Sequence, residues 1–142
     1  MPRAFVILLL VSLAAACAPS ATLTPTLPIQ PTPIDYQRSG GFVGVQDHLT
    51  IDLNGHATLT RRTSTTQFDL SRADLGAIQA AFQAAGFASL PENATPPAIA
   101  ADGFSYVITY QGHTVRTGDP SVPRQLEPVI STLNRLIDSG GK

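Results

Sequence analysis

The feature that most limits how this 142-residue chain can fold is its first 33 residues, which show no pattern of a packed core. Residues 1–16, MPRAFVILLLVSLAAA, place Arg3 ahead of an apolar run from Phe5 to Leu13. That run is shorter than the roughly 20 residues that a membrane-spanning helix needs. A positive start, a short apolar run and small residues are typical of a secretory signal peptide, so we expect residues 1–16 to direct export.

The single cysteine, Cys17, directly follows three alanines. Small residues before a cysteine resemble a bacterial lipobox, although Ala14 stands where leucine is usual and Leu13 lies one place further out. A lone cysteine in an exported chain cannot form an internal disulfide, and a lipid thioether would account for it. We predict that Cys17 is lipidated and anchors the protein to the membrane of the bacterial cell envelope, outside the cytoplasm. The alternative is an ordinary signal peptide that leaves Cys17 as a free thiol.

Residues 17–33 are rich in proline, threonine and serine and carry no charged side chain. Such a composition cannot bury enough apolar area to offset the entropy of ordering. It predicts an extended, semi-stiff tether of polyproline type. The folded domain is therefore expected at residues 34–138, followed by a disordered tail at 139–142.

A hairpin is predicted from Asp47–Leu53 and His56–Arg62. A three-residue loop that ends with a left-handed Gly55 gives one face that is wholly apolar, which a two-residue loop would not. The favoured register pairs Ile51 with Ala57 and Leu49 with Leu59. The other face is polar and exposed, and comprises His48, Thr50, Asp52, His56, Thr58 and Thr60.

The histidines on this polar face do not form a metal site by spacing. His48 and His56 are expected roughly 12 to 14 Å apart at the rise of a strand, too far to chelate one ion. Asp52 is expected opposite His56 as an ion pair. We interpret this pair as a solvated contact on an exposed hairpin, and a catalytic dyad is the alternative.

The remaining elements are predicted from helical spacing and turn residues. A first helix begins after Ser71 as N-cap, with Asp74 three residues later, and ends at Gly86 with Phe87 folding back. Its apolar stripe is Leu75, Ile78, Phe82 and Ala85. A second hairpin, Phe104–Tyr110 with His113–Thr117, turns at Gln111-Gly112 and pairs Ile108 with Val115 and Tyr106 with Thr117.

The last helix carries a stripe of Leu126, Val129, Ile130, Leu133 and Ile137. Pro128 predicts a kinked or 3₁₀ start to this helix. Adding a first strand at Ile34–Arg38 gives the order β-β-β-α-β-β-α. The expected fold class is α+β, with an antiparallel sheet of about five strands and two helices packed on one face.

Composition and motifs argue against several classes of function. Nine Lys and Arg against ten Asp and Glu leave no basic surface for nucleic acid. The sequence holds no Gly-x-Ser-x-Gly motif, no phosphate-binding glycine loop and no cysteine cluster. We therefore predict a non-enzymatic binding protein, a monomer with no cofactor and no metal of its own.

The candidate contact segment is the glycine-rich stretch that follows the first strand. Glycines permit close approach of a backbone, and Phe42 could fill an apolar subsite of a partner. In the alternative interpretation the glycines only turn the chain and Phe42 belongs to the core. The candidate partner-binding residues are Ser39, Gly40, Gly41, Phe42, Val43 and Gly44.

Three segments together carry a resemblance to a known family: YQRSGGFVG, then DLSRADLGAIQAAFQAAGFASLP, then DGFSYVITYQGHTVRTGDPSVPRQLEPVISTLNRLI. In order and spacing they resemble emfourin-like proteins, which are protein inhibitors of protealysin- and thermolysin-type metalloproteases. The resemblance covers about residues 34–137. The leader and tether are additions to it, so a target would lie outside the cytoplasm.

The resemblance implies occlusion of a protease cleft by the segment from Ser39 to Gly44, near a zinc ion that belongs to the protease. Arg38 would then be a scaffold or rim residue. The alternative is a non-inhibitory envelope lipoprotein, a ligand-binding or structural module that uses the polar face or the proline-rich loop at Leu90–Asp102.

Overall fold

The computed structural model describes residues 33–94 and 102–140. Cys17, the signal segment, nearly all of the tether and most of the proline-rich loop lie outside these residues. The described part contains six strands and two α-helices: β1 Ile34–Gly40, β2 Val45–Ile51, β3 His56–Arg61, β4 Ser64–Asp69, α1 Arg72–Ala84, β5 Phe104–Tyr110, β6 His113–Gly118 and α2 Glu127–Ser139. The strands form one antiparallel sheet in the order β4-β3-β2-β1-β5-β6, which confirms the α+β class.

Both predicted hairpins have the predicted register. In the first, Ile51 pairs with Ala57 and Leu49 with Leu59, and Gly55 has φ +87°. In the second, Ile108 pairs with Val115 and Tyr106 with Thr117, across a two-residue turn in which both residues have positive φ. Apolar alternation fixed both registers because a slip of one residue would move every apolar side chain to the exposed face.

The sequence interpretation missed strand β4, so the element order is β-β-β-β-α-β-β-α. All six residues of β4, STTQFD, pair with β3 at the edge of the sheet. Phe68 is its single apolar residue and is only partly buried. An edge strand with one half-buried apolar residue has almost no alternating pattern to detect.

One hydrophobic core lies between the inner face of the sheet and the two helices. The helical stripes predicted from sequence supply its helix side, and Ile78, Phe82, Leu133 and Ile137 are almost fully buried. The sheet side is supplied by Ile34, Tyr36, Leu49, Ile51, Ala57, Leu59, Tyr106, Ile108, Tyr110 and Val115. All of the described core residues lie within residues 34–137, so a fragment that starts at residue 33 retains the whole of this core.

The helix ends follow the predicted signals. Ser71 caps α1, since its Oγ accepts a hydrogen bond from the Asp74 backbone N–H at 3.1 Å. Gly86 is left-handed at φ +58°, and the Phe87 ring returns to meet Phe82 edge to face. A 3₁₀ turn at Arg124–Leu126 precedes α2, with Pro128 in the first turn of the helix, as predicted.

Candidate functional site

The candidate site is the tight turn that joins β1 to β2. The backbone N–H of Gly44 donates to the carbonyl oxygen of Gly41 at 3.0 Å, which closes a four-residue turn with Phe42 and Val43 at its corner. Gly40, Gly41 and Gly44 have φ of +114°, +70° and +64°. Side-chain-bearing residues rarely adopt such values, so the glycines are required by this turn shape.

The turn is held from behind by the start of β5. The backbone N–H of Gly41 donates to the carbonyl oxygen of Gly103 at 3.0 Å. A Cβ on Gly41 would lie 2.8 Å from Cζ of the Phe104 ring, and one on Gly40 would collide with the Gly103 carbonyl oxygen. On the other side Arg62 donates from Nη2 to the carbonyl oxygen of Gly44 at 2.9 Å. The backbone of the turn is thus fixed on both sides.

The apolar corner of the turn points into solvent. Phe42 is 95% exposed and Val43 is 78% exposed. The interpretation that placed Phe42 in the core is therefore wrong, and the glycines present this side chain outward instead of folding it inward. A large apolar side chain held almost completely in water gains nothing for the fold, because it buries no area there.

A buried ion pair closes the base of the turn. Arg38 and Asp47 are register partners on β1 and β2, and Arg38 donates to Oδ2 of Asp47 from Nε at 3.0 Å and from Nη2 at 2.7 Å. The Asp47 side chain is only 5% exposed. Burial opposes the charge of Arg38, but the hydrogen bond and the charge of Asp47 outweigh it and raise the pKa of Arg38. Arg38 is therefore a scaffold residue.

The same base is connected to the last helix and to the ring behind the turn. Arg38 donates from Nη1 to Oδ1 of Asn134 at 3.2 Å, and the hydroxyl of Tyr36 donates to that same oxygen at 2.8 Å. The Arg38 guanidinium also lies 5.6 Å from the centre of the Phe104 ring, the ring that backs Gly41. The turn, β5 and α2 are in this way fixed to one another through Arg38.

The polar face of the sheet differs from the prediction in one ion pair. Asp52 lies beside His56, but its carboxylate accepts the His56 backbone N–H at 2.9 Å. The imidazole instead contacts Asp69 of β4, with Nδ1 2.7 Å from Oδ1. The predicted Asp52–His56 side-chain pair is therefore wrong. The actual partner, Asp69, was not considered because it lies on β4, the strand that the sequence interpretation missed.

Titration of this face follows from those contacts. The hydrogen bond that the His56 imidazole donates to Asp69 raises the pKa of His56, and backbone N–H groups, first that of His56, lower the pKa of Asp52. His48 contacts a different carboxylate, with Nε2 2.8 Å from Oδ2 of Asp35. His48 and His56 thus contact different carboxylates.

A shallow depression of about 570 Å³ lies on the exposed side of the sheet, away from the turn. Its lining includes Asp35, Thr50, Asp52, His56 and Thr58. Within residues 33–94 and 102–140 no group of three or more His, Cys, Asp or Glu residues could hold a metal ion. In the same ranges no helix has the length and apolar character to cross a membrane.

Fold and site define a small α+β domain that presents a rigid apolar turn at one end of its sheet. The chain belongs to the Emfourin family, whose model matches residues 36–134. This match confirms the resemblance drawn from the sequence, and Emfourin is a family of inhibitors and not of enzymes. No curated protein matches the chain.

Proposed function

We propose that this protein inhibits a thermolysin-like zinc metalloprotease outside the cytoplasm by placing the turn Ser39–Gly44 in the cleft of the enzyme. Family membership supports protease inhibition in general. The use of this turn as the contact surface is supported by the exposure of Phe42 and Val43 on a backbone that is fixed on both sides.

Rigidity matters because binding orders whatever was mobile before. A turn held by Gly103, Phe104 and Arg62 loses little conformational freedom on docking, so more of its contact energy contributes to affinity. Phe42 would act as the apolar anchor in a subsite of the protease. The glycines beside it let the inhibitor backbone approach the zinc of the enzyme, with a carbonyl or the Ser39 hydroxyl as the nearest polar group.

The test uses residues 33–142, which contain the whole core, mixed with a thermolysin-like protease at increasing excess. Hydrolysis of a peptide substrate should fall to the background rate. Phe42→Ala should weaken inhibition by at least tenfold and change the free energy of unfolding by less than about 0.5 kcal/mol, as for surface changes in general. Leu53→Ala is the matched control, because Leu53 is a half-exposed apolar residue in the β2–β3 turn, which lies at the other end of β2 from the turn that carries Phe42.

Absence of inhibition by the unmodified domain against every such enzyme tried would overturn the inhibitor proposal. The polar face with its depression would then be the site to test for a non-inhibitory binding module. Equal loss of inhibition in the Phe42 and Leu53 variants would instead overturn the assignment of the contact turn.

We propose further that Cys17 carries the lipid that holds the domain at the membrane of the cell envelope. The support is the sequence of residues 1–17 and the uncharged tether that follows it. Cys17→Ser should move the full chain from the membrane fraction of an expressing bacterium to the soluble extracytoplasmic fraction. Unchanged membrane retention of that variant would refute the anchor and leave the inhibitor proposal untouched.

A further inference from the structure

The two edges of the sheet are finished differently. At the β6 edge the Ala94 backbone N–H donates to the carbonyl oxygen of Arg116 at 2.8 Å, and the Arg116 N–H donates to that of Glu92 at 2.7 Å. A short parallel bridge thereby covers that edge. At the β4 edge, no backbone group of the described residues bonds the outer side of Ser64–Asp69.

The outward groups of β4 follow from its pairing with β3. The Leu70 N–H donates to the carbonyl oxygen of Gly55 at 2.9 Å, and antiparallel strands alternate bonded and non-bonded positions. Phe68 and Thr66 lie two and four residues before Leu70, so their backbone N–H and C=O groups also bond β3. Thr65, Gln67 and Asp69 direct their N–H and C=O groups away from the sheet, and all three residues are exposed.

Within the part of the chain that the structure describes, this edge lacks most of the devices that usually prevent strands from pairing. Natural edge strands are protected by charged side chains, lysine above all, by proline, by a bulge or by a covering segment, and β4 carries one such charge, Asp69. β4 has the sequence STTQFD, and all of its residues pair one to one with β3 without a bulge. Threonine and phenylalanine also favour strand structure. The β4 edge is thus a regular template for another strand.

We propose that a second copy of this chain docks on this edge, β4 against β4, in an antiparallel pair with the two-fold axis at Gln67. Gln67 then faces Gln67 of the second copy, and Thr65 faces the second copy's Asp69. The Gln67 pair and the two symmetry-related Thr65–Asp69 pairs can each exchange two backbone hydrogen bonds, because the N–H and C=O groups of these residues point away from the sheet. The same patch serves both copies, as two-fold symmetry requires.

Side-chain chemistry suits this register. The single charge on β4 is Asp69, and the two-fold axis sets it opposite a threonine hydroxyl and not opposite another carboxylate. The glutamine amides at the axis can donate and accept between the copies. On the inner face Phe68 meets Thr66 of the second copy, which covers an aromatic ring that is only partly buried in one copy.

The dimer leaves the contact turns free. Arg62, two residues before β4, bonds the carbonyl oxygen of Gly44, so each turn lies beside the N-terminal end of β4. Antiparallel pairing sends the two N-terminal ends in opposite directions. The two turns therefore lie at opposite ends of a continuous sheet, and dimer formation does not depend on inhibition.

The experiment measures sedimentation of residues 33–142 over a wide concentration range. We expect a monomer–dimer equilibrium. Gln67→Lys sets two ammonium groups against each other at the axis and should raise the dissociation constant about fivefold or more. Thr65→Lys is the matched control at the same edge, and it should not raise that constant because the new lysine faces the second copy's Asp69.

Residue-resolved amide exchange gives an independent readout of the same interface. The amides of Thr65, Gln67 and Asp69 should exchange more slowly as concentration rises, while those of Thr66 and Phe68, already bonded to β3, should not change. A monomer at every concentration, as the sequence led us to expect, would overturn the proposal. So would equal weakening by the two lysine variants, or protection without the alternation.

Discussion

Replacing Asp47 by alanine should destabilise the domain far more than a surface change would. The Asp47 carboxylate is 5% exposed and accepts two hydrogen bonds from Arg38, while Arg61 lies 3.5 Å from its other oxygen. Asp47→Ala leaves these two guanidinium groups near one another without the carboxylate between them. Uncompensated buried charge is among the most costly results of a single substitution.

The magnitude follows from what remains around Arg38. Removal of one member of a buried ion pair costs about 3–5 kcal/mol. Arg38 keeps its hydrogen bond to Asn134, and Asp138 remains 3.5 Å away, so we expect the lower end, about 3 kcal/mol. For a domain of this size that corresponds to a fall in melting temperature of roughly 10–20 °C.

The loss in free energy of unfolding is measured by urea unfolding, followed by far-ultraviolet circular dichroism because the chain has no tryptophan for fluorescence. Asp138→Ala is the matched control, because Asp138 contacts the same guanidinium but its side chain is 70% exposed. Loss of an exposed pair costs less than about 1 kcal/mol. If the two variants lose similar stability, burial of the Arg38–Asp47 pair is not what holds the base of the turn.

Two further predictions concern backbone conformation and titration. Gly41→Ala should destabilise the domain by about 1–3 kcal/mol in the same unfolding assay, because Gly41 has φ +70° and the Phe104 ring lies behind it. Gly76 lies in α1 and a Cβ added there has open space around it, so Gly76→Ala should stabilise the domain by about 0.5–1 kcal/mol. An unchanged stability of the Gly41 variant would contradict the turn geometry. His56 has a pKa raised above 6.5 by Asp69, so its contribution to stability is complete below the unfolded pKa and is lost as pH rises through the folded pKa. Asp69→Asn should return the pKa of His56, followed by NMR, towards 6.5, and an unchanged pKa would exclude Asp69 as the cause.

The parts of the fold that could be predicted from sequence are those in which burial leaves a periodic pattern. Leu49 and Ile51 set the register of the first hairpin, and Leu133 and Ile137 set the buried face of α2, because each has to reach the same core. Strand β4 left no such pattern. Without β4, Asp69 was not considered, and His56 was paired with Asp52, which the hairpin register sets opposite it, instead of with Asp69 on the neighbouring strand.

The position of the turn was predicted, but the direction of Phe42 was not. An aromatic residue between glycines fits either a core position or an exposed corner, and local sequence does not distinguish them. The deciding contacts come from Gly103 and Phe104, more than sixty residues away, which fill the space behind Gly41. The Arg38–Asp47 clamp was likewise invisible, since it depends on Asn134 of the last helix for its remaining hydrogen bond.

The dependence of Arg38 on α2 has a consequence for the order in which the protein matures. The turn is encoded near the start of the domain, yet Asn134 and Asp138, which meet the guanidinium at its base, lie on α2, the last helix of the domain. A chain that is unfinished, or that is clipped before α2, has the turn residues without the helix side of their support. The contacts from α2 that support Arg38 at the base of the turn can therefore form only after α2 has been synthesised.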